Sequence, residues 1–142
     1  MKKLMFVACV VLAAGSLFAA TSKQTYRDAQ GRNMGSASTD STGRTTCRDS
    51  MGRNLGTATV SGNRTTYRDS MGRNQGTATT DSSGNTTYRD SKGRMMGTAR
   101  TDSTGKVTYR DAQGRLQGTA TIDSTGRTTY RDAQGRLQGT KK

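Results

Sequence analysis

The tripeptide Tyr-Arg-Asp begins at Tyr26, Tyr67, Tyr88, Tyr109 and Tyr130, and Cys47 takes the tyrosine's place in one further copy; successive copies lie 21, 20, 21, 21 and 21 residues apart. A unit this short cannot bury its apolar face alone. A fixed period of this size therefore constrains the chain to an array in which each unit packs on the next. The short interval has a visible origin: Val60-Ser61-Gly62-Asn63 stands where other units carry a mid-repeat Asp-x-x-Gly, as at Asp40 to Gly43.

All 10 acidic residues are aspartates, and each opens an Asp-x-x-Gly. An aspartate at the first position of a type I turn accepts hydrogen bonds from backbone N–H groups, and glycine at the fourth takes the left-handed conformation of a bulged hairpin loop. With the Ser61-Gly62 turn, these turns divide the chain into as many as twelve strands. Eight-residue segments such as Arg115 to Ile122 alternate with five-residue segments such as Arg127 to Arg131. Each longer segment holds a central glycine, as at Gly56 or Gly118, which predicts a bulge or a close backbone approach. In the short segments Thr128 and Tyr130 share one face while Arg127, Thr129 and Arg131 share the other.

This pattern predicts an all-β protein: tandem hairpin repeats of about 21 residues forming an elongated antiparallel meander, with a β-solenoid as the alternative. The meander is preferred because Asp-x-x-Gly is more readily a hairpin loop than a solenoid corner, and because a thin sheet needs few large side chains. From residue 20 onward the large apolar residues number only 17, counting Tyr, Met, Leu, Val, Ile and Cys, too few for a conventional globular core. Low apolar content with high charge also fits a partly disordered chain, but the absence of proline and the abundance of Thr and Tyr favour strands.

Residues 1–19 read as a secretory signal peptide: Met1-Lys2-Lys3, an apolar run from Leu4, and small residues up to Ala19 and Ala20. Residues 20–25 then form a short lead and 26–142 a six-unit array whose last unit is incomplete. Localisation is expected to be periplasmic or secreted, with no transmembrane span after cleavage. Without Lys2 and Lys3 the chain keeps 21 of its 23 basic residues against 10 acidic ones, a net charge of +11.

Asp111-Ala112-Gln113-Gly114-Arg115-Leu116, repeated as Asp132 to Leu137 and followed by a Thr-rich strand and another Asp-x-x-Gly, resembles the YD repeat of bacterial Rhs proteins. The tyrosine lies two residues before Asp here, where YD repeats place aromatics one and three before. The Gly-Arg-x-x-Gly spacing, as in Gly114 to Gly118, is alternatively similar to MORN repeats. Either resemblance implies strips of β-hairpins. The closed shell that Rhs-type repeats build around a toxin does not carry over to six units.

The chain contains no His and no Glu, so a His-based nucleophile pair or a Cys/His zinc site cannot form. Turn capping accounts for the aspartates. Met51 and Met71 occupy turn positions held elsewhere by Gln, Thr, Ser or Lys, which argues against soft-metal ligation. The expectation is a protein with no catalytic residue, metal or cofactor.

The strongest candidate for interaction is arginine. Arg27, Arg48, Arg68, Arg89, Arg110 and Arg131 form one column, and Arg32, Arg53, Arg73, Arg94, Arg115 and Arg136 form a second beside each turn. The bland interpretation is that they are solvated or stacked on tyrosines, the first column partly neutralised by the adjacent aspartates. The functional one is multivalent polyanion binding, with an anionic glycan, lipopolysaccharide or extracellular nucleic acid as partner. Two other roles fit the strands: self-association through exposed edges, and ice or crystal-surface binding through arrays such as Thr57-Ala58-Thr59 and Thr119-Ala120-Thr121.

Overall fold

A computed structural model describes residues 22–142; the leader assigned to residues 1–19 lies outside them. Twelve strands follow one another: β1 (Ser22–Asp28), β2 (Asn33–Thr39), β3 (Arg44–Asp49), β4 (Asn54–Ser61), β5 (Arg64–Asp69), β6 (Asn74–Thr80), β7 (Asn85–Asp90), β8 (Met95–Thr101), β9 (Lys106–Asp111), β10 (Leu116–Ile122), β11 (Thr128–Asp132) and β12 (Leu137–Lys141). Each pairs antiparallel with the next, as a meander of hairpins requires. The elongated open meander, however, is corrected: β12 also pairs with β1, and the sheet is a closed barrel.

The stagger between strands explains the closure. Tyr26 stands opposite Gly35, and Gly35 opposite Asp49, two residues beyond Cys47, the counterpart of Tyr26. The same advance recurs at the end of the chain, where Tyr130 stands opposite Gly139 and Gly139 opposite Asp28, two residues beyond Tyr26. Two residues per unit over six units is a stagger of twelve across twelve strands. A barrel whose shear equals its strand number tilts its strands by about 36° and closes without strain. Closure also removes both sheet edges, so the expected self-association through exposed edges has no free edge to use in this state.

A bulge next to the central glycine accompanies each advance. On β4 the pairing passes from Cys47↔Gly56 to Arg48↔Asn54, leaving Leu55 as the extra residue. Glycine is required there by both causes the sequence suggested. Gly56 has φ +148°, and a Cβ on it would lie 2.3 Å from the carbonyl oxygen of Arg68 on the next strand.

The lumen has a core built mainly from small side chains. Ala37, Ala58, Ala78, Ala99 and Ala120 are buried and line the long strands. On the short strands Tyr26, Cys47, Tyr67, Tyr88, Tyr109 and Tyr130 occupy equivalent positions around the barrel, the first three buried and the others half-buried. Burial raises every one of these phenols above the ordinary tyrosine range, Tyr26 to about 12, and the neighbouring Tyr26 and Tyr109 push Tyr130 further. The outer wall carries threonine and arginine in cross-strand register, Thr46↔Thr57↔Arg68 for instance, so the threonine columns run around a curved surface. No helix among the described residues is long and apolar enough to cross a membrane, and a wall of Thr and Arg lacks the apolar band with which spanning barrels meet lipid.

Candidate functional site: the arginine rim

Six turns lie at one end of the barrel, each joining a short strand to the long strand after it, and they repeat one geometry. In the first, Asp28 Oδ1 accepts from the backbone N–H groups of Gln30 (3.0 Å) and Arg32 (2.9 Å). Gly31, at φ +80°, donates its N–H to the Asp28 carbonyl at 3.0 Å and so closes the loop. Asp28 Oδ2 is left to receive the Nε of Arg32 at 2.7 Å. The same ion pair forms in the other five turns, Asp49–Arg53, Asp69–Arg73, Asp90–Arg94, Asp111–Arg115 and Asp132–Arg136, at 2.7–2.8 Å.

The other arginine column ends at the same rim. Arg27 reaches over its turn and donates from Nη1 to the carbonyl of Gly31 at 2.8 Å, and Arg48, Arg68, Arg89, Arg110 and Arg131 do likewise to Gly52, Gly72, Gly93, Gly114 and Gly135 at 2.8–3.0 Å. All twelve arginines singled out in the sequence as two columns therefore gather at one end of the barrel, two at each of its six turns. Which set meets the aspartates is also corrected. The second column, Arg32 and its equivalents, forms the ion pairs, because it lies four residues from Asp across the turn while the neighbouring arginine points to the outer face.

The electrostatics of the rim are unequal. The aspartate side chains are 16–17% exposed and the arginines paired with them 68–74% exposed. Desolvation acts to raise the Asp69 carboxyl, but hydrogen bonds from the Arg73 side chain and from the Arg73 and Met71 backbones, with the Coulomb attraction of Arg73, hold it below the usual carboxylate range. Each aspartate is thus a recessed, ionised anchor. Each guanidinium spends its Nε on that anchor and turns most of its surface to water, and six further arginines with Lys92 add charge that no aspartate balances.

Sequence reasoning missed one participant. Gln75, Gln117 and Gln138, at the bulge positions, donate from Nε2 to the Oδ2 of Asp69, Asp111 and Asp132 at 3.0–3.2 Å. Their place two residues after the turn arginine, where Leu55 or Met96 stands in other units, gave no signal of it. Among the described residues no group of three or more metal-ligating side chains gathers.

The fold and rim together define a closed antiparallel β-barrel of hairpin repeats with one arginine-ringed end. No protein-family model and no curated protein matches the chain. Among solved structures it is similar to BamB from Moraxella catarrhalis, at 12% identity and a TM-score of 0.30 over 75% of this chain. The matched region spans 54% of that protein.

Proposed function

We propose that this protein is an exported, non-enzymatic repeat barrel that binds polyanions with its arginine rim. The observation that carries this reading is the gathering of twelve arginines on one end, six of them with side chains 68–74% exposed although ion-paired. A rim of regularly spaced cations suits a flexible polymer with many negative charges, because binding at one arginine raises the effective concentration at the next. Acidic glycans, lipopolysaccharide and extracellular nucleic acid share that chemistry. An exported location follows from the leader pattern in residues 1–19, and a repeat of the YD type is the family reading we favour.

The test is titration with heparin over a series of salt concentrations. Wild-type affinity is expected to fall steeply with added salt, and replacing Arg32, Arg53, Arg73, Arg94, Arg115 and Arg136 by Gln should lower it about 100-fold and flatten the salt dependence. Affinity that survives this change in a folded variant overturns the reading.

A second reading, self-assembly, is favoured by one observation. The β1–β12 seam has no connecting turn yet keeps the register of an internal pair: Gly139↔Asp28 and Thr140↔Arg27 repeat Gly118↔Asp132 and Thr119↔Arg131. A strand β12 freed from its own β1 fits the β1 of a second copy. Assembly of so basic a chain should increase with salt, opposite to polyanion binding, and sedimentation on the same samples separates the two.

A further inference from the structure

The arginine rim also gathers exposed apolar side chains. Among the described residues eight large apolar side chains are exposed, and six of them, Met51, Met71, Met95, Met96, Leu116 and Leu137, lie in the turns of this rim or directly after them; Val60 and Ile122 lie toward the other end. Single exposed apolar residues are ordinary. Their concentration at the most cationic end of the barrel is not.

Two of the six stand at turn tips. Met51 and Met71 are the third residues of their Asp-x-x-Gly turns and are 75–76% exposed. The turn uses only their backbone N–H groups, which donate to Asp49 and Asp69 at 2.9 Å, and Gln30, Lys92, Gln113 and Gln134 fill the same position elsewhere. Met95, Leu116 and Leu137 depart further from the repeat. In the first three units their place is held by asparagine, and Asn33, Asn54 and Asn74 accept the N–H of Gly35, Gly56 and Gly76 at 2.9–3.0 Å. Methionine and leucine give up that bond and leave an apolar side chain 39–43% exposed. Each stands opposite one arginine, Met95 with Arg89, Leu116 with Arg110 and Leu137 with Arg131, and follows a second in the chain. Cationic and apolar groups therefore alternate around the rim from β7 to β12.

A hydrophilic polyanion makes no use of the apolar groups, and a folded partner would need a separate pocket for each. A bilayer interface takes both kinds: anionic headgroups meet the guanidinium groups while single apolar side chains enter the boundary between headgroup and acyl chain. The seam repeats the internal register, so the six turns end at one level around the barrel and offer a ring to a plane. We infer that the arginine rim docks on the surface of an anionic lipid bilayer, with Met51, Met71, Met95, Leu116 and Leu137 entering the interface. This inference rests on the polyanion reading of the same rim and narrows its partner to lipid.

The experiment is cosedimentation with vesicles of equal parts phosphatidylglycerol and phosphatidylcholine, with pure phosphatidylcholine vesicles and heparin titrated alongside. Wild-type protein should bind the anionic vesicles at least about tenfold more tightly than the neutral ones. The triple variant Met95→Asn, Leu116→Asn, Leu137→Asn restores the residue of the other units and keeps every arginine. It should bind anionic vesicles about 10- to 50-fold more weakly than wild type and heparin within about twofold of it. Leu116→Trp gives a chain without tryptophan one reporter, whose emission should shift to the blue on anionic vesicles and not on heparin; it also serves if the triple variant does not fold. Wild type that binds heparin but not anionic vesicles, a triple variant that matches wild type on vesicles, or an unmoved tryptophan overturns the lipid inference and leaves the polyanion reading standing. Wild type that binds neither overturns both.

Discussion

The two ends of the barrel use the same turn and differ in the residue after its glycine. At both, aspartate caps two backbone N–H groups and a left-handed glycine closes the loop; Asp40, for example, accepts from Thr42 N at 2.9 Å and Arg44 N at 3.1 Å, with Gly43 at φ +78°. Beyond the glycine, one rim has arginine in all six turns. The other has Arg44, Asn85, Lys106 and Arg127, and in one case replaces the whole motif by a two-residue loop with Gly62 at φ +58°. All six ion pairs among the described residues lie at the first rim. The second folds without them, its Asp102 carboxyl held low by the hydroxyl and N–H of Thr104 and by Lys106. Arginine is therefore more than the turn needs, and its uniformity at one end is what the proposed polyanion binding rests on.

The contrast between the rims is open to measurement. The largest effect is expected at the glycines. Gly76→Ala, whose Cβ would sit 2.2 Å from the Arg89 carbonyl oxygen at φ +146°, should cost about 3–5 kcal/mol in urea unfolding. Gly105→Ala, in a second-rim turn with open space around it, should cost about 1–2 kcal/mol. Equal costs would remove the claim of a close approach beside the arginine rim.

Next in size is the binding control. Replacing Arg44, Lys106 and Arg127 by Gln removes three charges from the second rim, and should change heparin affinity by less than about threefold. A loss matching that of the arginine-rim variant would mean that net charge alone does the binding.

Acid should act on both rims with the same sign. Each aspartate's folded pKa is depressed, so its contribution is complete above the unfolded value near pH 4 and is lost as pH falls through the folded value. Carboxyl NMR titration distinguishes the rims: Arg73→Gln should move Asp69 back toward the ordinary range and leave Asp102 in place. The smallest effect is on stability. Arg94→Gln removes an ion pair whose arginine side chain is 74% exposed, and should change unfolding free energy by less than about 1 kcal/mol.

What the sequence made legible was local. Asp-x-x-Gly marks its own turn, so the twelve strands and the demand for glycine at Gly56 and its equivalents could be read from one unit. Closure could not, because a two-residue advance in the bulge at Leu55 has no meaning until it accumulates around six units and brings Gly139 opposite Asp28. The same non-locality hid the rim: two arginine columns are visible as columns, but their convergence depends on the sheet's curvature. Lys141 shows the limit most clearly. Beside Lys142 it reads as part of a basic tail, and only the pairing of β12 with β1 places it inside the barrel.

The seam also sets which way the molecule faces. Ser22 begins β1 and Lys141 ends β12 at the same end of the barrel, where Thr25 and Lys142 exchange backbone hydrogen bonds of 2.7 and 3.1 Å. That end is opposite the arginine rim. A tether joined at Ser22 or Lys142, the ends of the described residues, would hold the barrel by its base like the stem of a cup, with the arginine rim turned away from the anchor.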